Sequence, residues 1–92
     1  MEVRLSKRAL NDVEKIFLYT EEMWGIEQRI KVATGIKLVL HFLENYPDCG
    51  QSTNRSSVST LVVTKLPFVF LYKINNSNLI ILRVRHSKQL RK

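Results

Sequence analysis

Two apolar runs, Phe68 to Ile74 and Leu79 to Val84, carry most of the strand-forming character of the chain. Both runs are rich in β-branched and aromatic residues, and the polar residues Asn75–Asn78 between them include asparagines, which tolerate a positive φ. This pattern predicts a β-hairpin. Whether the turn consists of the central pair or of all four polar residues, Ile74 is expected to face Leu79 and to set the register.

The predicted hairpin has two different faces, because side chains alternate along a strand. The face expected to form the core consists of Val69, Leu71, Lys73, Ile80, Leu82 and Val84. The other face interleaves aromatic rings with arginines and consists of Phe68, Phe70, Tyr72, Ile81, Arg83 and Arg85. Two interpretations of that second face stay open: cross-strand cation–π packing on a solvated surface, and a surface that binds an anionic or extended partner.

Earlier parts of the chain predict a short strand and two helices. Residues Glu2–Leu5 alternate polar and apolar side chains, as an edge strand does. Ser6 is then a suitable N-cap for an amphipathic helix that ends at Gly25. A second amphipathic helix is predicted over Ile26–Asn45. Because the connection is so short, the helices are expected to be antiparallel neighbours, with Trp24 as a packing anchor at their junction.

Pro47 ends the second helix and begins a polar loop, rich in turn formers, that extends to Ser57. Val58–Lys65 is predicted to be a strand, and a Leu-Pro pair separates it from the hairpin. The predicted element order is β-α-α-β-β-β. It indicates an α+β fold in which a helical hairpin packs on one face of a small, mainly antiparallel sheet. Residues 1–92 are expected to form a single domain.

Charge and composition restrict the classes of partner and site. Fifteen lysines and arginines against eight acidic residues give a formal net charge of +7, which would attract nucleic acid, an acidic protein or an anionic membrane surface. A single cysteine excludes an intrachain disulfide, and no run reaches the roughly 20 apolar residues that cross a bilayer. A cytoplasmic protein is therefore expected. Two histidines, one cysteine and dispersed carboxylates predict neither a metal site nor a cofactor.

Four short motifs resemble the RelE/ParE toxin superfamily, and its ParE branch most. They are the WG pair at Trp24, NYPDCG in Asn45–Gly50, LPFVFLY in Leu66–Tyr72 and ILRVRH in Ile81–His86. The resemblance covers essentially the whole chain. It implies the toxin of a bacterial type II toxin–antitoxin module, and an antitoxin partner that wraps an extended acidic segment over the toxin. The positive net charge agrees with such a partner.

The branches of this superfamily differ in target. ParE-like toxins bind and poison DNA gyrase, whereas RelE-like toxins enter the ribosome and cut messenger RNA without a metal ion. On the nuclease interpretation, Arg83 and His86 would hold the phosphate and move protons, and Lys65 or Arg55 would add phosphate contacts. On the gyrase interpretation no catalytic residue is expected. Antitoxin or target would then contact Phe68, Phe70, Tyr72, Arg83 and Arg85.

Two positions depart from the pattern of the superfamily. Ser59 stands where both branches commonly carry an arginine, early in the first meander strand, and this departure disfavours a nuclease. Gln89 lies in a tail where ParE-like members often continue with paired arginines, which affects the expected potency against gyrase. We therefore expect a gyrase-directed toxin. The alternatives are a ribosome-dependent messenger RNA endonuclease and, third, a basic nucleic-acid-binding module.

Overall fold

The computed structural model describes residues 1–52, 57–63 and 66–86. Within these ranges, two helices pack on a five-stranded sheet. The helices are α1 (Lys7–Trp24) and α2 (Ile26–Asn45), and the strands are β1 (Glu2–Leu5), β2 (Gln51–Ser52), β3 (Ser59–Val62), β4 (Phe68–Asn75) and β5 (Asn78–His86). The strand order is β1-β5-β4-β3-β2. Only the β1–β5 pair is parallel among these strands, so the predicted α+β fold with a mainly antiparallel sheet is confirmed.

Both helices begin and end where the sequence predicts. The Ser6 hydroxyl oxygen accepts a hydrogen bond from the Ala9 N–H at 3.1 Å, which caps the first turn of α1. Gly25 alone separates the two helices and has a φ of +94°. Residues with a Cβ rarely adopt that conformation. The tight connection therefore depends on glycine and brings the two helices together.

Trp24 is not the packing anchor that the sequence predicted. Its side chain is 63% exposed, and its ring meets Tyr19 edge to face, with 5.8 Å between the ring centroids. Arg29 links the helices instead. Its guanidinium donates to the Glu21 carboxylate at 2.8 Å and lies 5.5 Å from the centroid of the Phe17 ring. Arg29 thus holds the two helices together at their junction, and Trp24 lies at the surface.

The hairpin follows the predicted register only near its turn. Tyr72 faces Ile81 as predicted, whereas Leu71 faces Arg83 instead of Leu82. The register shift lies between Leu71 and Tyr72, so β5 contains one extra residue, which is a β-bulge. Because side chains alternate along each strand, the extra residue exchanges the faces of every later residue of β5 relative to β4.

The bulge determines which face is the core. The predicted core face is wrong for the aromatic residues and for Leu71 and Leu82, which are half-buried, whereas Val69 and Val84 are buried as predicted. The hairpin residues in the core are Phe68, Phe70, Tyr72, Leu79, Ile81 and Val84. Val84 faces Phe70, where an uninterrupted register would have placed Arg83. Helix residues complete this core, and they are Ala9, Val32, Ile36, Val39 and Leu43. An apolar residue replaces a charged one opposite the rings, so the three large rings can be buried together, which favours this arrangement.

The segment between α2 and β4 differs from the prediction in two ways. The predicted polar loop contains the short strand β2, whose Gln51 and Ser52 pair with Thr60 and Ser59 of β3. The third strand is shorter than predicted, from Ser59 to Val62, and Lys65 lies outside the described residues. Arg55 and Gln89 also lie outside them. At the other end, β5 continues past the apolar run to His86.

Candidate interaction surfaces

The aromatic residues predicted to form a binding face are buried. Phe68, Phe70 and Tyr72 are 5%, 0% and 1% exposed. Their side chains belong to the core that the helices cover. They therefore do not form the exposed surface that the sequence predicts. Of the five residues predicted to bind a partner, only Arg83 and Arg85 lie outside the core. The error arose from strict alternation along β5, which the bulge interrupts.

Tyr72 fastens the segment after α2 to the sheet. Its hydroxyl donates to the Pro47 carbonyl oxygen at 2.9 Å and accepts from the Gly50 N–H at 2.9 Å. Burial raises the pKa of the Tyr72 phenol, so the hydroxyl keeps its proton and acts as a donor at neutral pH. A Cβ on Gly50 would overlap this hydroxyl. Tyr72 and Gly50 therefore have a structural role, which is to hold the chain in place where it turns into β2.

Arg83, the first residue named for a nuclease site, is bound by a carboxylate of α1. Its Nε donates to Asp12 Oδ2 at 2.8 Å, and its Nη2 donates to Asp12 Oδ1 at 3.1 Å. Asp12 Oδ2 also accepts the backbone N–H of Val84 at 3.0 Å. The side chains of Arg83 and Asp12 are 26% and 15% exposed, respectively. This bidentate pair joins α1 to the part of β5 beyond the bulge.

The electrostatics of this pair favour its charged form. Burial alone would raise the pKa of Asp12, but the hydrogen bonds from Arg83 and Val84 and the charges of Arg83 and Arg85 hold that pKa below its usual value. The same hydrogen bond raises the pKa of Arg83. The sequence analysis did not identify Asp12. A signal was present, because Asp12 lies three residues after Ala9 and four before Ile16, inside the apolar stripe of α1.

The two residues named for nuclease chemistry are not brought together. Arg83 and His86 are three positions apart on β5, which corresponds to about 10 Å along the strand. His86 faces Phe68 across the strands, and the two rings meet edge to face with 5.8 Å between centroids. Ser59, the residue expected to depart from the superfamily pattern, faces Tyr72. The described residues therefore do not gather these side chains around one point.

An apolar groove runs along the helical side of the molecule. Leu5 of β1 contributes to its lining, with Val13 and Phe17 from α1 and Ile30 from α2, and Lys37 lies in its wall. Ile30 is 58% exposed although it is a large apolar residue. Several other large apolar side chains of the two helices are also exposed, among them Leu10, Met23, Trp24, Ile26 and Leu38. The groove, with the exposed Ile30 in its lining, is therefore a candidate interaction surface.

Neither helix of the described ranges is both long and apolar enough to span a membrane.

Charge is divided unevenly between the two halves of the chain. Residues 1–48 contain all eight acidic residues and seven of the lysines and arginines, whereas residues 49–92 contain eight lysines and arginines and no acidic residue. The half that contains β3, β4 and β5 therefore carries the whole positive excess. The net charge of the whole chain does not show this division, although the sequence does.

Part of that excess lies on the sheet face opposite the helices. Arg4 of β1 and Lys73 of β4 both neighbour Ile80 of the central strand β5. Arg85 faces Val69, which shares a face with Lys73 by alternation. We name Arg4, Lys73 and Arg85 the basic face. Arg4 is exposed, and the other two side chains are half-buried.

Comparison with known proteins gives a consistent family. The family model described as the ParE toxin of a type II toxin–antitoxin system, parDE, matches residues 3–91. Toxin ParE1 of Caulobacter vibrioides is 35% identical over 48 residues, which cover 52% of this chain and 50% of that protein. The alignment thus spans about half the length of that curated relative.

Two solved structures share the fold. One is described as the chromosomal ParDE TA system from P. aeruginosa, with a TM-score of 0.83 and 20% identity, covering 94% of this chain and 95% of that chain. The other is the toxin–antitoxin complex RelBE2 from Mycobacterium tuberculosis, with a TM-score of 0.65 and 21% identity, covering 92% and 88%. The resemblance to the RelE/ParE superfamily is confirmed. Because the family model matches nearly the whole chain, residues 3–91, the chain belongs to the ParE toxin family of type II toxin–antitoxin systems.

Proposed function

We propose that this chain poisons DNA gyrase by binding it, and that an antitoxin neutralises the chain by occupying its helical groove. The observation that supports a binding mechanism is the pair between Asp12 and Arg83. Both oxygens of the carboxylate are engaged by the guanidinium, and one also accepts a backbone N–H. A binding poison needs a complementary surface and no proton transfer.

The same pair disfavours the alternative, a ribosome-dependent nuclease. Cleavage of a phosphodiester requires cations aimed at one phosphate and a proton donor or acceptor close to it. A phosphate could take the Nε and Nη2 donors that now bind Asp12 only by displacing that carboxylate, which would leave it partly buried without its partner. His86 lies opposite Phe68 and Arg83 lies opposite Leu71, three residue pairs apart along the hairpin. Of the residues named for cleavage, the two that the structure describes are therefore not arranged around one phosphate.

Gyrase supercoiling and messenger RNA cleavage should be measured with the same purified protein. We expect inhibition of supercoiling or accumulation of cleaved DNA, with messenger RNA intact in a reconstituted translation reaction. The His86→Ala variant is the matched control. It removes the proposed proton carrier of the nuclease and should retain inhibition of gyrase. Messenger RNA that is cleaved by the unaltered chain, but not by His86→Ala, would make the nuclease the correct function.

Antitoxin binding is assigned to the groove because the apolar surface of this chain is on its helices. The family description concerns a toxin of a toxin–antitoxin system, and the similar RelBE2 structure is titled as a toxin–antitoxin complex. The aromatic face predicted for this contact is in the core. The groove instead offers exposed apolar side chains, which an amphipathic segment of the antitoxin can cover. The acidic part of such an antitoxin finds complementary charge in residues 49–92.

A charged residue in the groove should weaken antitoxin binding. Ile30→Asp places a carboxylate in the groove lining, and we expect the dissociation constant of the complex with the cognate antitoxin to rise at least about tenfold. Leu38→Asp is the matched control, since Leu38 is on the same helix, is 64% exposed and does not line the groove. Its complex should be nearly unchanged. Equal effects of the two variants, measured by calorimetric titration, would place the antitoxin outside the groove.

A further inference from the structure

We propose that the basic face contacts the phosphate backbone of duplex DNA directly, so that this chain recognises DNA as well as protein at its target. The inference rests on the proposed gyrase-directed function and names a second partner for it. Its support is independent of the groove. It comes from the positions of the positive charges on the sheet.

The charges of the basic face are accessible and widely spaced. Neighbouring strands are about 4.8 Å apart, so the Cα atoms of Arg4 and Lys73, on either side of β5, are about 10 Å apart. Arg85 lies beside Val69, four residues along β4 from Lys73, which corresponds to about 13 Å. At about 3.4 Å per base pair, that length matches roughly four base pairs of duplex. The three side chains can therefore reach phosphates that lie about three to four base pairs apart on one DNA segment.

The ion pairs on the surface leave these cations available. Arg4 contacts Glu2 at 3.5 Å, but both side chains are 62% exposed. Such a pair contributes little, and a polyanion replaces it readily. No acidic residue occurs in residues 49–92. Arg85 interacts electrostatically with Asp12, but both carboxylate oxygens of Asp12 accept hydrogen bonds from Arg83. A surface of this kind attracts a chain of like charges, and the affinity comes from counterion release.

The arrangement favours DNA over an acidic peptide. A peptide carboxylate is bound best by a guanidinium fork with two parallel hydrogen bonds. Arg83 presents such a fork to Asp12. Arg4 and Arg85 also carry guanidinium forks, which can bind a carboxylate or a phosphate, but they and Lys73 are separated, with apolar residues such as Ile80 between them. Spaced single charges suit the regular phosphates of a duplex better than the irregular carboxylates of a peptide.

The test is binding of a fluorescently labelled duplex of about 20 base pairs, followed by anisotropy over a range of salt concentrations. The triple variant Arg4→Gln, Lys73→Gln, Arg85→Gln should bind at least about tenfold more weakly than the unaltered chain. Its slope of log affinity against log salt should fall by about 2 to 3. The matched control, Lys7→Gln, Lys15→Gln, Lys31→Gln, removes the same charge from exposed helix positions. It should change the affinity less than about threefold.

Three results would overturn the inference: no change in the triple variant, an equal loss in both variants, or a loss confined to binding of a poly-glutamate peptide. The last would assign the face to an acidic protein. If the triple variant fails to fold, as judged by its thermal unfolding, the double variant Arg4→Gln, Lys73→Gln serves in its place. Its slope should fall by about 2.

Gyrase inhibition, measured in parallel, separates this inference from the proposed function. An unaltered chain that inhibits gyrase and binds DNA equally well with and without the basic face overturns the inference alone. An unaltered chain that leaves gyrase active overturns the proposed function before any variant is compared.

Discussion

Replacing Phe70 with alanine is expected to lower the free energy of unfolding by about 3 to 5 kcal/mol. Phe70 is fully buried and faces Val84 beyond the bulge. Removing its ring deletes apolar contacts and leaves a cavity in the core shared by the sheet and the helices. The midpoint of unfolding in urea should move to a clearly lower concentration, with little change in the slope of the transition.

Leu71→Ala is the control for the Phe70 variant. Leu71 is the next residue of β4, points to the opposite face and is half-buried. Its replacement should cost less, about 1 to 2 kcal/mol. If Leu71→Ala were the more damaging substitution, the helices would cover the other face of the sheet, and the bulge in β5 would be absent in solution.

Replacing Asp12 with asparagine is expected to lower the free energy of unfolding at pH 7 by about 2 to 3 kcal/mol. The carboxylate accepts three hydrogen bonds, from two guanidinium nitrogens and one backbone N–H, and hydrogen bonds to charged groups contribute more than neutral ones. An amide cannot accept both guanidinium bonds and has no charge to balance Arg83, which is three-quarters buried. Equilibrium unfolding in urea at pH 7 measures the difference.

The same pair should make stability depend on pH in the acidic range. The pKa of Asp12 in the folded chain lies below its ordinary value of 3.8. The stabilisation from its ionised form is therefore fully present above the pKa of the unfolded chain, and it is lost as the pH falls through the lower pKa of the folded chain. Between pH 6 and pH 2, the unaltered chain should lose more stability than the Asp12→Asn variant.

Glu21→Gln is the control for the Asp12 variant, because Glu21 pairs with Arg29 while both side chains remain more than 40% exposed. Exposed pairs contribute at most about 1 kcal/mol. Similar losses in Asp12→Asn and Glu21→Gln, or parallel pH curves for Asp12→Asn and the unaltered chain, would contradict a stabilising role for the pair.

The helices could be predicted from the sequence because their ends depend on local chemistry. The Ser6 hydroxyl caps a neighbouring turn, Gly25 supplies a positive φ, and Pro47 cannot continue α2. The hairpin register close to the turn is local for the same reason. Asn76 has a φ of +57°, so the side chain that permits this conformation lies within the turn itself.

The bulge could not be predicted, since its backbone groups are satisfied by distant residues. The Ser6 N–H donates to the Ile81 carbonyl oxygen at 2.9 Å, and the Ser6 hydroxyl donates to the Leu82 carbonyl oxygen at 3.1 Å. Asp12 accepts the next available N–H, that of Val84. The start of α1 thus provides the partners that an extra residue in β5 requires. Nothing within the hairpin sequence indicates them. Without the bulge, the aromatic residues were placed on the same face as Arg83 and Arg85, whereas they are buried with Val84.

The candidate surfaces show the same division between local and distant causes. The resemblance to ParE-like toxins came from local motifs and was confirmed over residues 3–91. The basic half of the chain could have been found by counting charges along the sequence. The groove could not, because its lining comes from β1, α1 and α2 together, and exposure of Ile30 depends on how far these elements lie apart.

The position of β5 in the sheet also determines when the chain can fold during synthesis. β1 is synthesised first, yet it pairs with β5, so Glu2 cannot pair with Asn78 until the last strand has been synthesised. Until β5 has been translated, β1 has no neighbour and the core lacks Leu79, Ile81 and Val84. Closing so long a segment has an entropic cost that must be met before the contacts form, which slows folding. A nascent chain that ends before β5 therefore exposes the apolar helix faces that β5 would help to cover. Such a chain can complete its fold only late in synthesis, after β5 has been added.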